Sequence, residues 1–266
     1  MKRIAQSNKA AWEEAFDRRS GGFGDDHAAR QTAEVKPFLH PAVWEALDAL
    51  PLKGGCIGQF CCNNGRELMS AVRHTSAQSG VGFDIAANIL AQARAIAAET
   101  HTACTFVECD VCEAPAAYES RFDALLVTIG ALCWMDDVGV FFAKAAAFLK
   151  SGGTLIVHDS HPVAAMFAVP QVDCYDAQNP AKLCYRYFRD EPFEDHYGMP
   201  YLAGHTYDSK TFTSYSHTLG GIVTAVAESG LRLTRLDEYD QDISDDTAAL
   251  EGQGYPLSYR LVAVKP

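Results

Sequence analysis

Asp84 is the residue of this chain best placed to do chemistry, because of what precedes it. The stretch Cys56-Ile57-Gly58-Gln59-Phe60-Cys61-Cys62-Asn63-Asn64-Gly65-Arg66-Glu67-Leu68 passes from a small apolar run through a tight polar turn into a helical pattern. Val81-Gly82-Phe83-Asp84 is a second apolar run, closed by a carboxylate. Strand, loop, helix, strand, acid is the order of a parallel βαβ unit. In such units ligands sit outside the carboxyl ends of the strands, and a terminal acid takes the hydroxyls of a ribose. Asp84 is therefore the ribose candidate. The turn matches a glycine fingerprint only in part, since Cys61 and Asn63 stand where glycines are usual and Gly65 alone remains. The reading rests on position, after a strand and before a helix, more than on the motif itself.

A second constellation, Cys109-Asp110-Val111-Cys112, has the gap of a metal or redox pair. A structural zinc would want another such pair, and Cys61-Cys62 is a poor substitute. The nine cysteines are scattered, several in predicted strands, and the chain opens without an apolar segment long enough for an export signal. Reduced thiols used as small fillers, no metal, and a cytoplasmic setting are expected. A formal net charge of -12 argues against a nucleic-acid partner, and no apolar run is long enough to span a bilayer.

The elements that must position these residues follow from periodicity. Residues 8–19 read as a helix with Trp12, Ala15, Phe16 and Arg19 on one face, suited to a core contact or to a lid closing over a ligand. A polar, glycine-rich and mobile stretch is expected from Ser20 to Arg30, then a helix from Pro41 to Leu50. After the first βα unit come a helix over 85–99, a strand over 105–110, a nearly all-apolar strand over 122–129, a helix over 138–149 stopped by Gly152-Gly153, and a strand over 154–159. Residues 162–215 show no clean period and are rich in Tyr, Phe, Pro, Asp and His. So long an irregular stretch is expected to be a substrate-binding insertion. A helix over 216–229, a strand over 231–236 and a last, antiparallel strand over 259–264 complete an α/β chain with a doubly wound, Rossmann-like sheet of about seven strands. The expected partition is an N-terminal helical lid over 1–50, a core over 51–161 and 216–266, and the insertion over 162–215.

From about residue 50 to the end, this pattern resembles the class I S-adenosylmethionine-dependent methyltransferases. The resemblance is carried by Gln59-Phe60-Cys61-Cys62-Asn63-Asn64-Gly65-Arg66-Glu67, Gly82-Phe83-Asp84, Cys109-Asp110-Val111, the run from Phe122-Asp123 to Trp134-Met135-Asp136, and Leu149-Lys150-Ser151-Gly152-Gly153. It is similar further to a bacterial subgroup with Asn-Asn-Gly-Arg-Glu in the first loop, Gly-Ala-Leu-x-Trp as at Gly130 to Trp134, and a His-Pro pair as at His161-Pro162. The resemblance implies S-adenosyl-L-methionine as cofactor and a small molecule as substrate, methylated on oxygen or nitrogen; a homodimer stays open. It places main chain around Cys61 and Asn63 near the amino-acid part of the cofactor, after Gln59, which replaces the acid common there. It puts Asp84 on the ribose, Ile85 and Val111 beside the adenine, Asp110 on the adenine amino group, and a main-chain carbonyl of Thr128 or Ile129 on the methionine amino group.

A proton acceptor is needed only if the nucleophile arrives protonated. His158, Asp159 and His161 at the end of the fifth strand are the candidates, with His196, His205 and His217 further off; the alternative is that Asp159 and His161 anchor the insertion. Tyr175, Tyr185, Tyr187, Tyr197, Tyr201 and Tyr207 are candidates to line the substrate pocket. Two other readings compete with the enzyme: an idle protein that binds the adenosyl cofactor, and a dinucleotide-dependent oxidoreductase. The oxidoreductase would want a fuller glycine fingerprint and a parallel last strand.

Overall fold

The computed structural model describes residues 2–19 and 22–266; Met1, Ser20 and Gly21 lie outside the described residues. In chain order the elements are α1 (Lys2–Asp17), α2 (His27–Ala33), α3 (Pro41–Asp48), β1 (Cys56–Phe60), α4 (Arg66–His74), β2 (Ser79–Asp84), α5 (Ala87–Glu99), β3 (Cys104–Glu108), β4 (Phe122–Val127), α6 (Val138–Phe148) and β5 (Leu149–Ser160). The remainder is β6 (Phe193–Asp195), α7 (Pro200–Ala203), β7 (Phe212–Ser214), α8 (Leu219–Glu228), β8 (Arg232–Tyr239) and β9 (Ser258–Val264).

Seven strands form one sheet in the order β3-β2-β1-β4-β5-β9-β8. β1 to β5 pair in parallel, and β9 runs antiparallel to both neighbours. The chain winds outward from β1 to β3 and restarts at β4 on the other side of β1, which leaves a crevice at the carboxyl ends of β1 and β4. The antiparallel last strand removes the parallel sixth strand that a dinucleotide oxidoreductase would want.

Side chains alternate along each strand, so each face of the sheet carries its own core. Phe60, Phe83, Leu125, Val127, Leu155 and Val157 pack toward α6 and α8. Ile57, Ala124, Leu126 and Ile156 pack on the opposite face with Leu47, Leu68, Leu90 and Ile96 of α3, α4 and α5. Phe60 sits 5.6 Å from Phe83, 5.5 Å from Phe141 and 5.6 Å from Phe148, ring centre to ring centre. This aromatic layer fixes the height at which β1 ends and the loop begins.

Two sequence expectations are corrected here. The stretch thought mobile contains α2, whose His27, Ala28 and Gln31 are buried, with Gln31 Nε2 donating to the Arg66 carbonyl at 2.6 Å. On α1 the buried face is Asn8, Ala11, Ala15 and Phe16; Arg19 lies beyond the helix, exposed, with its guanidinium 4.2 Å over the Phe16 ring. Asn8 is the polar member of that face because it has main-chain partners. Its side chain donates to the Thr213 carbonyl and accepts from the Thr213 N–H, both at 2.8 Å. Residues 162–215 contain the β6–β7 hairpin and α7, and Trp12, Trp134 and Phe212 close the seam to α1 with ring centres 5.3 to 6.0 Å apart.

Candidate active site

The loop after β1 takes left-handed backbone at three residues: Cys61 (φ +51), Asn63 (φ +49) and Gly65 (φ +72). These are the positions at which glycine would be free of strain, so two side chains sit on a glycine-type turn at a cost of order 1 kcal/mol each. Only the third position forbids a side chain on space as well, since a Cβ on Gly65 would lie 2.6 Å from Phe106 Cζ. The loop is held by its neighbours. Asn63 N–H donates to Asp84 Oδ2 at 2.8 Å, Cys62 N–H to the Phe83 carbonyl at 3.0 Å, and Asn63 Oδ1 accepts from Asn64 N–H at 2.8 Å. Asn64 is fully buried, and its amide donates to Gln92 and meets His27 Nδ1, both at 3.0 Å. Burial, then the charge of Arg66, pushes the His27 imidazole down to about 4, so it is neutral and its Nδ1 accepts a hydrogen bond from the Asn64 amide.

Asp84, at the end of β2, joins this loop to the next. Its Oδ1 accepts from Ala86 N–H at 3.0 Å while Oδ2 holds Asn63. Burial raises its pKa and the main-chain donors of Ala86, Asn63 and Ile85 oppose that. With one main-chain bond per oxygen at hydrogen-bonding distance, each oxygen keeps a lone pair for a hydroxyl. Asp110 stands at the end of β3, its Oδ1 accepting from Cys112 N–H at 2.9 Å to start the turn that buries Val111. Ile85 and Val111 thus flank the space between Asp84 and Asp110.

Across the crevice, β4 ends at Val127, so Thr128 and Ile129 lie just beyond the strand that the sequence extends through them. Gln59 Nε2 donates to Thr128 Oγ1 at 2.9 Å and to Glu67 Oε2 at 2.8 Å, and the Thr128 hydroxyl donates to the same Glu67 oxygen. Gln59 is wholly buried, and its Oε1 has no partner.

Asp84 closes β2, Asp110 follows β3 and Thr128 follows β4, all at the carboxyl ends of parallel strands. Residues 57–153 match the family described as methyltransferase domain. This stretch of the chain is similar to a methyltransferase domain. Its fold is that of the class I, S-adenosylmethionine-dependent enzymes, as three solved structures show. The S-adenosylmethionine-dependent methyltransferase from Mesorhizobium loti is 24% identical with a TM-score of 0.59, the match covering 84% of this chain and 97% of that one. A protein from Listeria monocytogenes assigned to the same class is 17% identical, with a TM-score of 0.62 and the same coverage of both chains. Geranyl diphosphate C-methyltransferase from Streptomyces coelicolor is 14% identical with a TM-score of 0.57, over 91% of this chain and 82% of that one. No curated protein matches the sequence significantly. The cofactor that goes with such a domain is S-adenosyl-L-methionine. The residues present suit it: a strand-end carboxylate with free lone pairs for a diol, and an orphaned buried acceptor at the opposite pole.

The three residues expected to take a proton are placed for other tasks or away from the crevice. Asp159 is buried, and its oxygens accept from Gly130 N–H at 2.7 Å, Ser160 N–H at 2.8 Å and Leu132 N–H at 3.2 Å, which moors the loop after β4. His161 Nδ1 accepts from Val163 N–H at 3.1 Å, while Nε2 lies 2.9 Å from Glu238 Oε1. Nδ1 is thus committed to the main chain, while the buried Nε2 faces Glu238 without a well-formed hydrogen bond. His158 points to the α3 face of the sheet, stacked on His40 with ring centres 4.6 Å apart, and burial pushes it down to about 4. Asp159 thus holds the loop after β4 and not the insertion, while His161 holds the insertion's first turn through Val163. Of the remoter histidines, His217 is tied through Nε2 to the Met135 carbonyl at 2.8 Å.

What the sequence did not single out is the set of groups that come together above β4. Burial and then the carboxylates of Asp159, Asp246 and Asp195 raise the Cys133 thiol. Burial, Asp195, Asp246 and Tyr185 in turn raise the Tyr197 hydroxyl, so these groups share one space. Asp246 is exposed to solvent, yet its carboxyl is pushed up to about 6 by the protein around it and by Asp242, Asp245 and Asp195. Tyr201 is 57% exposed, yet burial is the first cause of its raised pKa, and its hydroxyl lies against Asn63 and Arg66. Of the tyrosines expected to line a pocket, Tyr185 and Tyr197 lie near Asp195, whereas Tyr201 lies by the loop after β1, its ring centre 5.8 Å from that of Phe23. Tyr187 instead accepts from Leu219 N–H at 2.9 Å, and Tyr207 lies under Arg18. The signal available in the sequence was only the tyrosine-rich composition, because the acids come from two segments about fifty residues apart.

Proposed function

We propose that the protein transfers the methyl group of S-adenosyl-L-methionine to an oxygen or nitrogen of a small molecule. The observation that carries this is Asp84, which joins two loops through main-chain donors and keeps lone pairs toward the crevice. In this reading Asp84 takes the ribose hydroxyls, Asp110 accepts from the adenine amino group, and Ile85 and Val111 pack on the ring. Gln59, Cys61 and Asn63 line the amino-acid end, and a main-chain carbonyl of Thr128 or Ile129 takes the amino group. The cofactor supplies a methyl carbon already activated by its sulfonium. The protein's share is to hold the acceptor in line and keep water out. Residues 162–215 are the substrate-binding insertion and residues 1–50 the lid, with Asn8 and Trp12 fastening one to the other.

A nucleophile that arrives protonated would give its proton to Asp246, a solvent-exposed carboxylate raised to about 6 near Asp195 of the insertion. The reading is tested with methyl-labelled cofactor and a panel of small amines, phenols and alcohols. Label is expected in an acceptor, at a rate that falls as pH drops through about 6, where Asp246 gains its proton, and that loses this dependence in Asp246→Asn. A second reading, an idle binder, is favoured by the side chains of Cys61 and Asn63 on left-handed positions of the loop. Cofactor binding without label in any acceptor would move the assignment there.

A further inference from the structure

The first strand ends in Gln59, an amide where an acid would put a negative charge at the amino-acid end of the cofactor. The charge has not left the site. Glu67, in the first turn of α4, reaches back so that its Oε2 accepts from both Gln59 Nε2, at 2.8 Å, and the Thr128 hydroxyl. The helix N-terminus favours an anion there. Among the described residues no cation pairs with Glu67.

The hydrogen bonds of this triad leave particular atoms over. Gln59 spends its two N–H donors on Glu67 and Thr128, so its Oε1, wholly buried and without partner, can only accept. Thr128 accepts from Gln59 and donates to Glu67. Glu67 keeps Oε1 and its charge. Two acceptor oxygens and one unpaired negative charge, converging where β1 and β4 end, ask for a group with several N–H donors and a positive charge. A buried carbonyl oxygen left without a donor costs about 1–3 kcal/mol, so such a group is bound at a place already unfavourable without it. We propose that Glu67, oriented by Gln59 and Thr128, is the charged partner of the α-ammonium of the adenosyl cofactor, beside the Thr128 or Ile129 carbonyl that takes another of its N–H donors, the charge being moved from the strand to the helix that follows. The inference rests on the cofactor reading above and deepens it.

The test is calorimetric titration of the full chain with two probes, S-adenosylhomocysteine and its deaminated analogue, which differ only in the α-ammonium. Wild type is expected to prefer the aminated compound by roughly 10- to 100-fold, the range for a hydrogen bond to a charged group. In Glu67→Gln, isosteric but uncharged, that preference is expected to shrink to within a few-fold while affinity for the deaminated analogue changes little. The exchange variant Gln59→Glu/Glu67→Gln puts the charge back on the strand and is expected to regain the preference; it also guards against Glu67→Gln failing only through a disturbed loop. Wild type binding both probes equally, or Glu67→Gln weakening both by the same factor, would overturn the inference and leave the cofactor reading standing. Wild type binding neither probe would overturn the cofactor reading itself, and this inference with it.

Discussion

Single residues decide whether the loop after β1 holds its shape. Gly65 has φ +72 and the Phe106 ring against its α-carbon, so Gly65→Ala is expected to cost about 2–4 kcal/mol, read from urea unfolding. Cys61→Gly should do the reverse, relaxing a left-handed non-glycine position by up to about 1 kcal/mol. Asp159→Ala strands three main-chain N–H groups, two of them on the loop after β4. It is expected to lower stability by about 3 kcal/mol or more. A role in proton transfer would instead leave the melting temperature nearly unchanged and lower turnover alone. His27 sets a pH dependence. Its folded value of about 4 lies below the ordinary 6.5, so between these limits the unfolded chain binds more protons and stability falls as pH falls. The loss reaches up to about 3 kcal/mol from this one group. Buried His158 adds a slope of the same sign. His27→Gln should flatten the fall in melting temperature between pH 6.5 and 4.

At the scale of elements, the sequence was legible where periodicity and strand ends carry the information. β4 is nearly all apolar because helices cover both its faces, and the acid ending β2 marks a place that backbone geometry imposes; the glycine pair expected to precede the fifth strand falls inside β5, with Gly152 at φ +79. The N-terminal region was legible only as a helix. Its fastening to β7 depends on Asn8 meeting Thr213 across 205 positions, a match between one amide and a strand edge that leaves no period. α2 was hidden for a similar reason, since its buried polar members, His27 and Gln31, find their partners on Asn64 and Arg66. Asn8→Ala is expected to leave the Thr213 main-chain pair unsatisfied, cost about 1–3 kcal/mol, and raise amide exchange in 212–214 without raising it in β1 or β4. Equal exchange increases in the central strands would mean that α1 holds up the sheet instead of fastening the insertion.

Across the whole molecule the fold places one crevice at the switch point of the sheet. The places of Asp84, Ile85, Asp110 and Val111 were legible, because they follow strands in short order. The meeting of Asp195 and Asp246 was not, because Asp195 lies on β6 in the insertion and Asp246 between β8 and β9, and only the packed chain brings both near Tyr197. The three strand-end candidates near β5 misled for a physical reason: side chains at a strand's end are as well placed to moor the neighbouring loops as to meet a ligand. No described helix is long and apolar enough to cross a membrane. The account therefore stands on the crevice binding an adenosyl compound through Asp84. The most direct measurement is calorimetric titration of wild type and Asp84→Ala with S-adenosylmethionine, S-adenosylhomocysteine and NAD. Micromolar binding of both adenosyl compounds, about 8 kcal/mol, lost in the variant, is the expected result. Binding of NAD alone, or no adenosyl binding by a folded wild type, would contradict it.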